Sequence, residues 1–328
     1  MTEIFLNLLI KAASLFKVLM PLAIRASKNY LKGEYERTLS LDKGPLQAEK
    51  LHHLALKRQK LHPPKEFYEV VIKIAPDISL KANLCQQYCG DIYYGVGFEQ
   101  SELSLVEKFV MKDEVFFDVG ANIGVYTLLA SKYVGEGGSV HSFEPLPEVY
   151  GILRANVEVP QYKNVKTNQV AVGEQNGEAQ IFINAQNALS SLGKTNRGVF
   201  LHSRTVPILT LDSYVVSAGI SKIDFLKIDV EGFEGHVLRG AAKLLDASPD
   251  LIVMSELAKK NFAPLGFSID ETLNWMRARG FEIWMVGDHS LELHPTFSIK
   301  NEYPFQNFLF IRPSNPKYHI VKKYSVSS

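Results

Sequence analysis

One stretch constrains the fold of this chain more than any other: Phe116-Phe117-Asp118-Val119-Gly120-Ala121-Asn122-Ile123-Gly124. An apolar run ends in an acid, opens into a glycine-punctuated turn and continues into a helical period. A buried parallel strand feeding a tight turn and a helix reads this way. Gly120 and Gly124 allow the backbone to approach a ligand where a β-carbon would clash. The helix start beyond them offers free N–H groups to an anionic group. The spacing does not supply the G-x-G-x-x-G that a dinucleotide fold requires.

From Glu114 onward, apolar runs and helical periods alternate, which is the pattern of a parallel sheet with helices on both faces. Strands are expected at Val115–Val119, Ser139–Glu144, Val165–Val170, Phe225–Asp229 and Leu251–Glu256. Helices are expected at Ser101–Val110, Gly124–Tyr133, Leu146–Val157, Gly235–Leu245 and Ile269–Ala278. Gln180–Ile183 reads as an extra strand inside a long connection. Glu282–Val286 and Asn307–Arg312 read as a closing hairpin around a Pro-containing loop, 287–306. An antiparallel strand ending a mostly parallel sheet is a known variation.

With 328 residues, the chain can hold one large α/β domain and an appendage. Its 46% hydrophobic and 22% charged residues are ordinary for a globular protein. A formal net charge of +1 gives no reason to expect nucleic acid as a partner. The two cysteines, Cys85 and Cys89, exclude a disulfide framework and cannot complete a zinc site by themselves. Reduced thiols suit a cytoplasmic setting. Residues 1–64 read as a helical arm ending at Pro63-Pro64. Residues 65–328 form the main domain, with 65–110 as its lead-in. Within the arm, Ile4–Ile24 is apolar but carries Asn7, Lys11, Ser14 and Lys17 as a polar stripe. No uninterrupted run there spans a bilayer, and Glu3 argues against a signal peptide. Three readings stay open for the arm: peripheral membrane contact aided by Arg25, Lys28, Lys32 and Arg37, a homodimerisation contact, or packing on the main domain.

Acids mark the carboxyl ends of the expected strands, where open α/β sheets bind ligands. Asp118 lies two residues before the first glycine, where S-adenosylmethionine (SAM) sites hold the methionine end. Glu144, one strand later, is placed to accept hydrogen bonds from ribose hydroxyls, since an ionised carboxylate only accepts. Leu226-Lys227-Ile228-Asp229-Val230-Glu231-Gly232-Phe233-Glu234 puts Asp229 and Glu231 at the end of a third strand. Methyl transfer to a hydroxyl requires loss of its proton. Asp229, Glu231, Glu256 and His236 are the candidate bases. Clustered acids of this kind also suit a divalent ion. No metal ligand is assigned. The loop from Asn184 to Arg204, with Lys194, Arg197 and Arg204, reads either as a lid over an anionic or glycan substrate or as a solvated surface loop.

These blocks together resemble the FkbM family of SAM-dependent methyltransferases. The resemblance is carried by Phe117–Gly124, Phe143-Glu144-Pro145, Ala171-Val172-Gly173, Thr210-Leu211-Asp212 and Ile223–Glu234, in family order over residues 95 to 260. Two shorter matches are Ser190-Ser191-Leu192 and Gly97-Phe98-Glu99. The resemblance implies a class I, Rossmann-like, seven-stranded and mostly parallel sheet with an antiparallel terminal strand. It implies that Asp118, Gly120, Ala121, Asn122, Gly124, Glu144 and Pro145 hold SAM, and that Asp229 and Glu231 face the reacting centre; Glu256, at the end of the next strand, can reach the same crevice. The resemblance further implies O-methylation of a hydroxyl on a sugar, polysaccharide, lipid-linked glycan or natural product. N-methylation and nucleic-acid methylation are the competing enzymatic readings, and the chain lacks the N/D-P-P-Y/F motif they would use. A SAM-binding interaction protein without turnover is the third reading.

Overall fold

The computed structural model describes Leu8 and residues 69–83, 99–184, 190–192, 200–257, 268–287, 290–293 and 306–325. The chain divides into two compact units, 1–99 and 100–328, a boundary that falls within the lead-in segment. In the first unit, β1 (Glu69–Ala75) and β2 (Ile78–Asn83) pair as an antiparallel hairpin. Ile78, Leu80 and Ala82 are buried at every second position, as a strand with one covered face requires. Apart from Leu8, the arm lies outside the described residues, as do Cys85, Cys89, Gly97 and Phe98. Among the described residues no helix is long and apolar enough to cross a membrane.

The second unit opens with α1 (Gln100–Phe109), followed by β3 (Val115–Val119), α2 (Val125–Val134), β4 (Ser139–Phe143), α3 (Pro147–Val157) and β5 (Val165–Asn168). Then come β6 (Ala171–Val172), β7 (Gly177–Asn184), β8 (Phe200–Leu209), α4 (Leu211–Ala218), β9 (Phe225–Ile228), α5 (Glu234–Arg239), α6 (Ala242–Ala247) and β10 (Ile252–Leu257). The chain continues through α7 (Ile269–Arg277), β11 (Glu282–Gly287), β12 (Ser290–Leu293) and β13 (Gln306–Ile311) to α8 (Tyr318–Tyr324).

Eight of these strands form one sheet in the order β12-β11-β13-β10-β9-β3-β4-β5. The run β10-β9-β3-β4-β5 is parallel, and β13 enters antiparallel between β10 and β11. This is the mostly parallel α/β architecture expected from the sequence. β9 is buried throughout, and β3 and β4 are buried at all but their first residue. Helices cover both faces, so the strands read as continuous apolar runs rather than alternations. The aromatic rings of Phe117, Phe143 and Tyr214 meet beneath α4, with Phe143 and Tyr214 edge-on at 4.8 Å.

Several expectations are corrected. The tail hairpin carries an eighth strand, β12, inside the expected loop; only Leu291 of its four residues is buried, too little pattern to read. The connection before β9 holds a second sheet, β6-β8-β7, and helix α4. In β8 only Val206 is buried, so its apolar signal is weak. Residues 200–204 of the expected lid loop therefore belong to a strand, and Arg204 pairs with Glu148 at 2.7 Å. Lys194 and Arg197 lie outside the described residues.

The expected helix Gly235–Leu245 is broken into α5 and α6. A β-carbon on Gly240 would collide with the Gly173 carbonyl, so two backbones cross at that point. Thr210-Leu211-Asp212 turns out to be a double cap. The Thr210 hydroxyl accepts from the Ser213 N–H at 3.1 Å and starts α4. The Asp212 carboxylate accepts from the N–H groups of Lys243 and Leu244, at 3.1 and 2.9 Å, and starts α6. At the other end of α6, the Arg312 guanidinium donates to the carbonyls of Leu245, Ser248, Pro249 and Arg279. Asp212→Ala is expected to lower the unfolding free energy by about 1–2 kcal/mol. Urea titration at neutral pH measures this, and an unchanged midpoint would remove Asp212 from the cap.

Candidate active site

Parallel register places four polar residues in one row across the sheet: Thr167, Ser142, Asp118 and Lys227. The row lies one residue short of the carboxyl end of β3. Asp118 and Ser142 are completely buried, and Lys227 nearly so. Thr127, in the first turn of α2, closes over the row. Its hydroxyl donates to Asp118 Oδ2 at 2.6 Å, so the 2.7 Å contact with Ser142 has Ser142 as donor. Asp118 Oδ1 has no hydrogen-bond partner and faces Lys227 Nζ at 3.8 Å. Burial pushes the Asp118 carboxyl above its ordinary value, against the pull of Lys227 and Thr127.

Asp118 is thus engaged by protein on both sides. It ties the end of β3 to the first turn of α2 through the Thr127 hydroxyl and to β9 through Lys227; the sequence also suggested contact with SAM's methionine end. The N–H groups of Gly120 and Ala121 both donate to the Phe143 carbonyl, at 3.1 and 3.0 Å, tying the turn to the end of β4. Asn122 stands at a positive φ of 50°. The glycines also have a packing reason. A β-carbon on Gly120 would strike the Asp229 carbonyl, and one on Gly124 would strike Leu153. Their small size lets β3 meet β9 and α2 meet α3.

Glu144 follows β4 and is buried. Its Oε2 accepts from the Asn122 N–H at 3.2 Å and its Oε1 from the Leu146 N–H at 2.9 Å. Pro145, half-buried, forms the short link these two bonds brace. Burial pushes the Glu144 carboxyl up to about 7. Each oxygen keeps a lone-pair direction for a further donor.

Across the turn, Asp229, Glu231 and Glu256 come together. One carboxylate oxygen from each lies within 4.8 Å of the others, and all three residues are half-buried. The sequence placed Asp229 and Glu231 together with Glu256 in reach of the same crevice, and the fold brings the three into one cluster. The set could take a hydroxyl donor or a hard divalent cation. Glu231 adopts a positive φ of 55° and Gly232 one of 104°. The loop is held from beneath by Glu234, whose Oε1 accepts from the N–H groups of Val230 and Gly232 at 3.1 and 3.0 Å. Ser191 donates to the Val230 carbonyl at 3.4 Å and brings the β7–β8 side of the chain to the acid loop. His236 stacks on Phe233, with its Nδ1 3.4 Å from Glu174.

Lys227, Glu234 and Thr127 were not assigned a role from the sequence. Lys227 was detectable, because a lysine inside a buried strand needs a partner. Nothing marked Thr127 before the α2 geometry was known.

A model of the FkbM methyltransferase domain matches residues 118–283, half of the chain. The chain belongs to the FkbM methyltransferase family. Two curated relatives illustrate its range. The hexuronic acid methyltransferase AglP of Haloferax volcanii is 26% identical over 161 residues, covering 47% of this chain and 61% of the relative. The 31-O-demethyl-FK506 methyltransferase FkbM of Streptomyces tacrolimicus is 30% identical over 155 residues, covering 39% and 59%. The chain therefore spans about three fifths of each of these relatives' length. Among solved structures, fibrillarin of Aeropyrum pernix in complex with SAM is similar with a TM-score of 0.38 at 13% identity. That match covers 76% of this chain and 86% of that one.

The buried Glu234 generates a pH prediction. Burial raises its carboxyl from an ordinary 4.5 to about 7. Between those values the folded protein holds a proton that the unfolded chain does not. The stabilisation is complete below about 4.5 and is lost as pH rises through about 7, with a slope of roughly 1.4 kcal/mol per pH unit for each such group. Glu144 acts with the same sign. Thermal stability of the parent should therefore fall from pH 5.5 to pH 8, and Glu234→Gln should flatten that fall. Equal slopes in the two proteins would contradict the assignment.

Proposed function

We propose that this chain transfers a methyl group from SAM to a hydroxyl of a sugar or natural product. The observation that carries the reading is the convergence of a buried acceptor carboxylate, Glu144, a glycine turn and three clustered acids at the carboxyl ends of β3, β4, β9 and β10. The donor set suits the cofactor. Glu144 has accepting capacity left for ribose hydroxyls, and the start of α2 has no side-chain cap. In this reading Gly120, Ala121, Asn122 and Gly124 shape the bed for the methionine end, and Asp118 keeps that bed rigid through Thr127 and Lys227. Pro145 orients Glu144. When bound, SAM supplies an electrophilic methyl on a sulfonium sulfur.

The chain's own work is then to orient an oxygen, receive its proton and exclude water. Asp229, Glu231 and Glu256 would accept a hydrogen bond from the acceptor hydroxyl, and one of their oxygens would take its proton. Glu231 is assigned that role because its strained backbone holds the carboxylate at the acid cluster. The acceptor class is supported by the names of the two relatives, one specifying a hexuronic acid and the other 31-O-demethyl-FK506. Phe182 and Phe200, with ring centroids 5.9 Å apart, add an aromatic surface beside Ser191 for the apolar face of such a ring.

Calorimetry with S-adenosylhomocysteine and labelled-methyl transfer to a panel of uronic acid glycosides and hydroxylated macrolides test the reading. Glu144→Gln should weaken S-adenosylhomocysteine binding by about tenfold or more. Glu231→Gln should retain that binding and lose methyl transfer by about 100-fold or more. A parent protein that does not bind S-adenosylhomocysteine would overturn the cofactor assignment. Full transfer by Glu231→Gln would remove Glu231 as the base.

A further inference from the structure

We propose that Lys227 is a positioning residue whose buried ammonium ties the cofactor turn to the acid cluster, so that one cation sets both halves of the site. The proposal rests on the methyl-transfer reading above. Lys227 Nζ lies 3.3 Å from Asp229 Oδ2, 3.4 Å from the Gly120 carbonyl and 3.8 Å from Asp118 Oδ1. The Tyr126 ring, from the first turn of α2, lies 4.8 Å away on a further side. The ammonium donates to the Asp229 and Gly120 oxygens and holds Asp118 Oδ1 at ion-pair distance. Each oxygen belongs to a different part of the site: the β3 strand end, the turn and the acid loop.

Two observations separate this arrangement from a simple buried ion pair. Asp118 and Lys227 are direct neighbours in the parallel register of β3 and β9, so strand pairing alone would bring them side by side. The ammonium nevertheless lies nearer to Asp229 and to the Gly120 carbonyl than to that neighbour. Its side chain therefore runs forward, toward the carboxyl ends where the site opens. The second observation is Asp229 itself. With Oδ2 turned to Lys227, the rotation of its carboxylate is fixed, and the remaining oxygen has a defined direction. A positively charged contact to the Gly120 carbonyl likewise fixes the peptide plane at the start of the turn. Loss of Lys227 would free both groups while leaving the strands paired.

A buried pair is strongly destabilised when one partner is removed, whereas removal of both can be near neutral. The test therefore uses Lys227→Met, Asp118→Asn and the double variant K227M/D118N, reading thermal stability and S-adenosylhomocysteine affinity in each. K227M alone should lose stability, because Asp118 is left buried without its cation. The double variant should recover most of that stability and still bind S-adenosylhomocysteine about tenfold or more weakly than Asp118→Asn alone. A double variant that recovers stability and binds as tightly as Asp118→Asn alone would show Lys227 to be only a partner of Asp118 and would overturn the proposal. If K227M/D118N does not fold, K227Q/D118N, which keeps amide partners in both places, carries the same two expectations. A parent protein that fails to bind S-adenosylhomocysteine would instead overturn the cofactor reading, and this proposal with it.

Discussion

A carboxylate placed wholly out of water is unfavourable unless the protein supplies protons and positive charge around it. Asp118 meets that condition through the Thr127 hydroxyl on one side and the Lys227 ammonium on the other. Much of the site follows from this one arrangement. Thr127 ties the first turn of α2 to the end of β3, and the turn from Gly120 to Gly124 is held between them. Lys227 links the same carboxylate to Asp229 and the acid loop. Ser142, donating to Thr127, joins β4 to the network, and Glu144 emerges two residues later. Hydrogen bonds in such a dry, connected set reinforce one another.

Backbone crossing sets the second constraint. The turn after β3 and the loop after β9 approach so closely that only a glycine fits at position 120. The same approach brings Asp229 to the floor of the turn. Opposite it, Glu234 braces the Val230–Gly232 loop through two accepted N–H bonds, which holds Glu231 in its left-handed conformation. The acids that face outward are therefore positioned by a buried acid that never reaches the surface. Glu144 and Glu234 are both raised to about 7 by burial, so the site rests on two carboxyls that hold their protons more tightly than usual.

The central sheet was legible because its strands are covered on both faces and appear as uninterrupted apolar runs. Val115–Val119 matched to the residue. β8 and β12 were not legible, since each has one buried residue and carries little periodic signal. The break between α5 and α6 depends on a distant backbone, Gly173, which no local pattern reveals. The candidate acids Asp118, Glu144, Asp229, Glu231 and Glu256 could be listed from their places at strand ends. What was not legible was which way each side chain turns. Asp118 turned inward to Thr127, while Glu256 crossed to Asp229 and Glu231. Side-chain direction at a strand end is decided by the packing of the following helix, as Thr127 and Glu234 show.

A crystal structure with S-adenosylhomocysteine bound tests the central claim most directly. The ribose hydroxyls should donate to the Glu144 carboxylate, and the homocysteine should lie along the turn from Gly120 to Gly124. The sulfur should face the oxygens of Asp229, Glu231 and Glu256. Ligand density away from Glu144, or a sulfur directed away from the acid cluster, would contradict it.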